Sequence, residues 1–86
     1  MNTIIRLRIK KDIDTATEKK ILKLKGSLIA QSFTDIIHYD DDGEHYYINF
    51  FTIETSKKDK VTAHINQSIT ENKLEEAIDL VVSTNK

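Results

Sequence analysis

The chain has 86 residues, of which 38% are hydrophobic and 31% are charged, and it contains no cysteine. This length suits one small domain, which we predict over residues 1–86, and the composition excludes a disulfide framework, a thiolate metal site and a strongly basic nucleic-acid coat. The sequence shows no leader segment and no apolar run near the roughly 18 residues of a membrane span, so we expect a cytoplasmic protein without a membrane anchor.

A formal net charge of −1 hides an uneven distribution of charge along the chain. Residues 1–26 contain eight Lys or Arg and three acidic residues, whereas residues 27–56 contain six acidic residues and no Lys or Arg. Segregated charge can orient a binding partner or a second subunit, and it also arises by chance in small proteins. Both interpretations stay open at this point.

The first two predicted elements are a strand and a helix. Over Thr3–Lys10 the odd-numbered residues are mainly apolar and the even-numbered residues are mainly basic. This alternation predicts a half-buried strand. Thr15 and Glu18 have the spacing of a capping box, and the apolar residues that follow recur every three or four positions. This pattern predicts a helix from about residue 15 to 31, which either ends at Gly26 or continues through it.

The middle of the chain predicts a hairpin. Residues 35–39 and 44–55 are rich in aromatic and β-branched side chains, which favour strands, and Asp42-Gly43 between them suits a tight turn. The second of these strands is apolar on both faces, which is typical of a central strand in a sheet.

The last third predicts a strand and then a helix. Val61, Ala63 and Ile65 alternate with polar residues over 61–66, which predicts a fourth strand, and a second apolar stripe predicts a helix from about residue 70 to 83. The fold class is therefore α/β: an α+β two-layer sandwich of order β-α-β-β-β-α, with a four-stranded mixed sheet and two helices on one face. The predicted core residues are Ile5, Leu7, Ile21, Leu24, Leu28, Val61, Ile65, Leu74, Ile78 and Val81.

The uncovered face of this sheet is the predicted binding surface. Two helices cover only one face, and the apolar central strand must then place large side chains on the other, where exposed patches mark interfaces. The central strand presents either Tyr46, Ile48 and Phe50 on this face or Tyr47, Phe51 and Ile53. We favour the second set. The predicted protein-interface residues are Arg6, Arg8, Lys10, Tyr47, Phe51, Ile53 and His64.

No arrangement of side chains along the sequence predicts catalysis or metal binding. The acidic run over residues 40–44 lacks the spaced ligands of a calcium loop, and His38, His45 and His64 lack the spacing of a helical metal pair. The serines lie in no nucleophile motif, and two isolated glycines cannot form a phosphate-binding loop. We therefore expect a protein that is not an enzyme, with no metal, no cofactor and no small-molecule substrate.

Two segments and the predicted element order carry a family resemblance. The segment Thr17–Leu24, the segment Glu75–Val81 around Ala77-Ile78-Asp79, and the order β-α-β-β-β-α resemble short ribosome hibernation-promoting factors. The resemblance implies binding to the small ribosomal subunit through basic residues. On this chain the phosphate-contacting residues would be Arg6, Arg8, Lys19, Lys20 and Lys23. The predicted second helix departs from that family's pattern, because it carries four acidic residues against one lysine.

The sequence thus predicts a small non-enzymatic binding domain that acts by macromolecular contact through an open sheet face, as an inhibitor or adaptor. Its expected partner is a protein, including a second copy in a homodimer. The alternative is a ribosome-associated, hibernation-type factor that binds the small subunit or RNA. Protein contact ranks first because the chain is near neutral, and affinity for nucleic acid depends mainly on phosphate charge.

Overall fold

Strands and helices alternate along the chain in the computed structural model, which describes residues 1–84. The elements are β1 (Asn2–Lys10), α1 (Thr15–Ala30), β2 (His38–Asp42), β3 (Tyr46–Glu54), α2 (Lys58–Glu71) and β4 (Ile78–Thr84), with a short 3-10 turn (Thr55–Lys57) before α2. The strands form one four-stranded sheet. The predicted α+β class is confirmed.

The sheet has the strand order β2-β3-β1-β4, and every neighbouring pair is antiparallel. β1 and β2 run in the same direction but are separated by β3, and β1 separates β3 from β4 in the same way. The prediction of a mixed sheet is therefore wrong, because all three strand pairs are antiparallel. Two split β-α-β units of this kind define a ferredoxin-like topology.

The element order in the second half differs from the prediction, because residues 61–66 lie in α2 and residues 78–83 lie in β4. The order is β-α-β-β-α-β. Val61, Ile65 and Ile69 are buried, whereas Ala63 and Gln67, which a two-residue period would also bury, are exposed, so the segment follows the helical period. We predicted that residues 70–83 form a helix with Val81 on its buried side. Val81 instead lies in β4 and is 44% exposed.

Both helices end where a residue other than glycine adopts a left-handed conformation. Ser32 (φ 61) follows α1, and Lys73 (φ 56) follows α2. After α1 the Phe33 amide donates to the Leu28 carbonyl, and after α2 the Leu74 amide donates to the Ile69 carbonyl. This is the Schellman arrangement, usually marked by glycine, and here it stops α2 before the segment that we predicted to be helical.

The start and middle of α1 agree closely with the prediction. Asp14, rather than Thr15, is the N-cap, since its carboxylate accepts a hydrogen bond of 2.7 Å from the Thr17 amide. The helix continues through Gly26, where no atom lies within 4 Å of the position that a Cβ would occupy.

The core lies between the helices and one face of the sheet. β1 contributes Ile5, Leu7 and Ile9, which are fully buried. All of the predicted core residues are buried except Val81. The helices supply Ile21, Leu24, Leu28, Val61, Ile65 and Ile69. Packing of both helices on this face leaves the opposite face of the sheet uncovered.

Candidate functional site: the open face of the sheet

Alternation along β1 places its basic side chains on the uncovered side of the sheet. Odd-numbered residues from Thr3 to Ile9 are buried, while the even-numbered residues between them are partly exposed. Arg6, Arg8 and Lys10 therefore lie together on the face away from the helices, as the sequence predicted.

Strand β3 presents the set of side chains opposite to the one we favoured. The register pairs Ile5 with Phe51 and Ile9 with Tyr47, so Tyr47, Phe51 and Ile53 point toward the helices. Phe51 is 0% exposed and cannot contribute to an interface in the folded domain. The prediction that these three residues lie on the uncovered face is wrong.

His64 lies in the helical layer and not on the sheet. Its Nε2 atom is 2.9 Å from the Ser27 Oγ atom of α1, and its ring contacts the Phe33 ring at a centroid distance of 5.4 Å. The prediction that His64 lies on the open side of the sheet is wrong, because its segment is the helix α2 and not a strand.

We call the uncovered surface the open face and define it by the side chains that alternate away from the helices. Its members are Ile4, Arg6, Arg8, Lys10, His38, Asp40, Asp42, Tyr46, Ile48, Phe50, Asp79, Val81 and Ser83. The two central strands, β1 and β3, supply its middle, and β2 and β4 supply its borders.

Arg8 is held in place on the open face by two contacts. Its Nε atom donates a hydrogen bond of 2.7 Å to the Asp42 carboxylate, and its Cζ atom lies 3.7 Å from the centroid of the Tyr46 ring. The hydrogen bond to Asp42 raises the pKa of Arg8 above its ordinary value. A guanidinium that is both paired and stacked keeps a defined orientation, which suits it to a contact surface.

A second group of side chains surrounds Arg6, which lies two residues before Arg8 on β1 and on the same face. Arg6 Nη1 donates a hydrogen bond of 3.1 Å to Ser83 Oγ, and Arg6 is the register partner of the exposed Val81. On the other side of β1, the Phe50 ring stacks on the His38 ring with centroids 5.0 Å apart. The middle of the open face therefore combines two positioned arginines with aliphatic and aromatic surface.

The acidic hairpin is tied to the basic residues of β1 and the segment after it. Asp42 binds Arg8, and Asp41 forms an ion pair with Lys11, whose Nζ atom also donates a hydrogen bond of 2.8 Å to the Gly43 carbonyl. Gly43 has a φ of 82°, as the turn requires. Within residues 1–84, no three His, Asp or Glu side chains are grouped so that they could hold a metal ion.

The alternative set of nucleic-acid-binding residues is divided between the two layers. Arg6 and Arg8 lie on the open face, whereas Lys19, Lys20 and Lys23 lie on α1, which packs against the other face of the sheet. These five residues do not form one continuous basic surface.

The sequence left two sets of β3 side chains open for the uncovered face, because both sets are largely apolar. A polar residue at the centre of one face suggests the solvent side, yet Asn49 is only 4% exposed. Lys25 of α1 donates a hydrogen bond of 3.2 Å to the Asn49 Oδ1 atom, and Asn49 Nδ2 donates one of 3.3 Å to the His38 carbonyl. These contacts satisfy a buried amide that the sequence pattern alone assigns to water.

No family profile matches the chain, and no curated protein matches it. Among solved structures it is similar to the de novo designed protein Foldit4, with a TM-score of 0.64 and 9% identity over 100% of both chains. It is also similar to the de novo designed protein Ferredog-Diesel, with a TM-score of 0.61 and 12% identity over 98% of this chain and 85% of that one.

A natural structure also resembles the chain. The regulatory subunit of aspartate kinase from Thermus thermophilus, in its ligand-free form, has a TM-score of 0.54 and 15% identity over 95% of this chain and 50% of that one. At these identities the comparisons establish the fold alone. The order β-α-β-β-β-α that carried the resemblance to hibernation-promoting factors is absent, and residues 78–81 of the matching segment Glu75–Val81 lie in β4 and not in a helix. No helix among the described residues is long and apolar enough to cross a membrane.

Proposed function

We propose that this protein is a non-enzymatic binding domain whose open face contacts another protein, first of all a second copy of itself. The observation that carries the proposal is the combination of exposed apolar side chains with arginines that are already paired. Val81 is 44% exposed, and Ile4, Ile48 and Phe50 are only partly covered. Arginine and aromatic residues are enriched where protein interfaces are strongest.

The paired state of the arginines favours a protein contact. A charged group that enters an interface must lose water, and this costs free energy unless it already has a partner. Arg8 brings the Asp42 carboxylate and the Tyr46 ring with it, so its charge can be covered while it stays paired. Arg6 brings only a hydrogen bond to the neutral Ser83 hydroxyl, so its charge calls for an acidic partner from the other molecule.

The distribution of charge favours a second copy over a nucleic acid. Basic residues occupy the middle strand β1, while Asp40 and Asp42 on β2 and Asp79 on β4 border it. In a pair related by a two-fold axis, each contact between a basic and an acidic residue occurs twice. The same acidic borders repel a phosphate backbone, which binds through unpaired positive charge.

The size of the face sets the expected strength of the pair. Four strands spaced about 4.8 Å apart, each of roughly eight residues, give a face of about 500 Å². Two such faces bury about 1,000 Å², which is near the lower limit of specific interfaces. We therefore expect a weak pair whose population depends on protein concentration, and whose affinity depends on most of the face.

Sedimentation velocity over a wide range of protein concentrations tests the proposal. We expect a reversible monomer–dimer equilibrium in the wild type, and a Kd at least about tenfold higher in Val81→Asp, because the charge enters an apolar part of the interface. Leu22→Asp is the matched control, since Leu22 is 55% exposed on α1 in the opposite layer. A wild type that stays monomeric throughout, or a Leu22→Asp variant that dissociates as readily as Val81→Asp, contradicts the proposal.

A further inference from the structure

A polar cleft of about 300 Å³ lies between α1 and α2, in the helical layer and away from the open face. The lining residues of α1 lie within the span 20–27 at positions 20, 23, 24 and 27, and those of α2 lie at positions 64, 68 and 71, so each set occupies one side of its helix. The principal lining residues are Lys20, Lys23, Leu24, Ser27, His64 and Ser68. The cleft is thus lined mainly by polar side chains from one side of each helix.

The direction of the hydrogen bonds indicates what His64 and Ser27 can do. Ser27 Oγ donates its proton to the Leu24 carbonyl at 2.7 Å, so it can only accept from His64 Nε2, which lies 2.9 Å away. His64 therefore acts as a donor to the hydroxyl and does not remove its proton. This pair joins the two helices and orients the imidazole, and it is arranged for binding rather than for nucleophilic attack.

Within residues 1–84, the two lysines of the cleft are not held in ion pairs, although Lys20 interacts electrostatically with Asp14. Among the described residues, neither Lys20 nor Lys23 forms an ion pair, and the only hydrogen bond of Lys20 is a long contact of 3.4 Å to the Asn72 carbonyl. Glu71 also lines the cleft, and its carboxylate accepts a hydrogen bond of 2.9 Å from the neutral Gln67 amide, so its negative charge remains. Two lysines against one glutamate leave the lining of the cleft with a net positive charge, which favours an anion.

We propose that the cleft between α1 and α2 binds a phosphate group, with Lys20 and Lys23 supplying the charge and the Ser68 hydroxyl supplying a hydrogen-bond donor. Lysine is a common ligand of phosphate because its ammonium group is a compact charge with three donors. The volume of the cleft is at the lower limit for small-ligand sites, so it suits a phosphate with a small organic substituent. The phosphate belongs either to such a free compound or to the backbone of an RNA strand.

NMR titration of the full chain distinguishes these sources. At constant ionic strength, we would add inorganic phosphate, a small phosphate monoester and a single-stranded RNA to the ¹⁵N-labelled protein. We expect saturable shifts of the Ser27, His64 and Ser68 amides, and an affinity at least about tenfold lower after Lys20→Gln with Lys23→Gln. Lys19→Gln removes the same charge from an exposed neighbour outside the cleft, and we expect its affinity to stay within about twofold of wild type.

The outcomes separate a defined site from general attraction of anions. Saturable binding of the monoester as tightly as the RNA supports a free compound, and tighter RNA binding with the same dependence on both lysines supports a strand backbone. If the double variant does not fold, Ser68→Ala keeps the charges and should weaken binding severalfold. Shifts that do not saturate, or an equal loss of affinity in Lys19→Gln, would overturn the proposal. The cleft lies outside the open face, so its failure leaves the proposed protein contact untouched.

Discussion

Two adjacent phenylalanines on β3 provide a direct test of its register. Phe51 is 0% exposed among the core residues, whereas Phe50 lies on the open face and stacks on His38. Truncation of a fully buried phenylalanine to alanine costs about 3–5 kcal/mol. A domain of this size has a total free energy of unfolding of roughly 4–13 kcal/mol. We therefore expect Phe51→Ala to remove a large part of the stability or all of it.

Phe50→Ala should have a smaller effect. Its partly exposed ring contributes about 1 kcal/mol from burial and up to about 1 kcal/mol from the ring contact. Urea denaturation followed by circular dichroism measures both losses, and repetition at two protein concentrations separates the folding of the monomer from stabilisation by association. A loss from Phe50→Ala that equals or exceeds the loss from Phe51→Ala would refute the register on which the open face depends.

Three further predictions concern the helix ends and two titrating groups. Lys73→Gly should stabilise the protein by roughly 0.5–1 kcal/mol, because glycine adopts the left-handed conformation at the end of α2 without steric cost. Asn72→Gly is the control and should not stabilise the protein, because Asn72 has a φ of −100°. The urea midpoints of the two variants measure the difference. Hydrogen bonds from the Thr17 side chain and amide lower the pKa of Asp14, so the ionised carboxylate stabilises the folded chain at neutral pH. Asp14→Ala should therefore lower the Tm at neutral pH. The difference in Tm between this variant and the wild type should shrink as the pH falls below 3.8. Desolvation lowers the pKa of Lys25, so the unfolded chain binds this proton more readily than the folded one. The wild type should therefore gain stability relative to Lys25→Met as the pH rises toward 10.5. A difference in unfolding free energy between the two proteins that does not change with pH contradicts this prediction.

The sequence could predict the α+β class, β1 and α1 because each has one unambiguous period. Alternation over Thr3–Lys10 fits only a strand, and the spacing of Ile21, Leu24 and Leu28 fits only a helix. In the last third, the short run from Val61 to Ile65 fits both periods. The two periods separate only in the folded chain, where Ala63 between the two buried residues is exposed.

The remaining errors come from residues whose role depends on distant contacts. Lys73 ends α2 in a conformation that glycine usually marks, so this end is not visible in the sequence. The buried position of Asn49 depends on Lys25, which lies 24 residues away along the chain. Without that contact, the two apolar faces of β3 cannot be assigned to the core and the open face.

The central claim is that the open face is the surface through which two copies associate. The most direct measurement is an isotope-filtered NOE experiment on a mixture of ¹³C-labelled and unlabelled protein. We predict intermolecular contacts of the Ile48 and Val81 methyl groups with the Phe50 ring of the other copy, because these groups lie on the face left uncovered by the helices. Intermolecular contacts from Leu22 and Ile29 of α1 instead, or none at concentrations where sedimentation shows dimers, would contradict the claim.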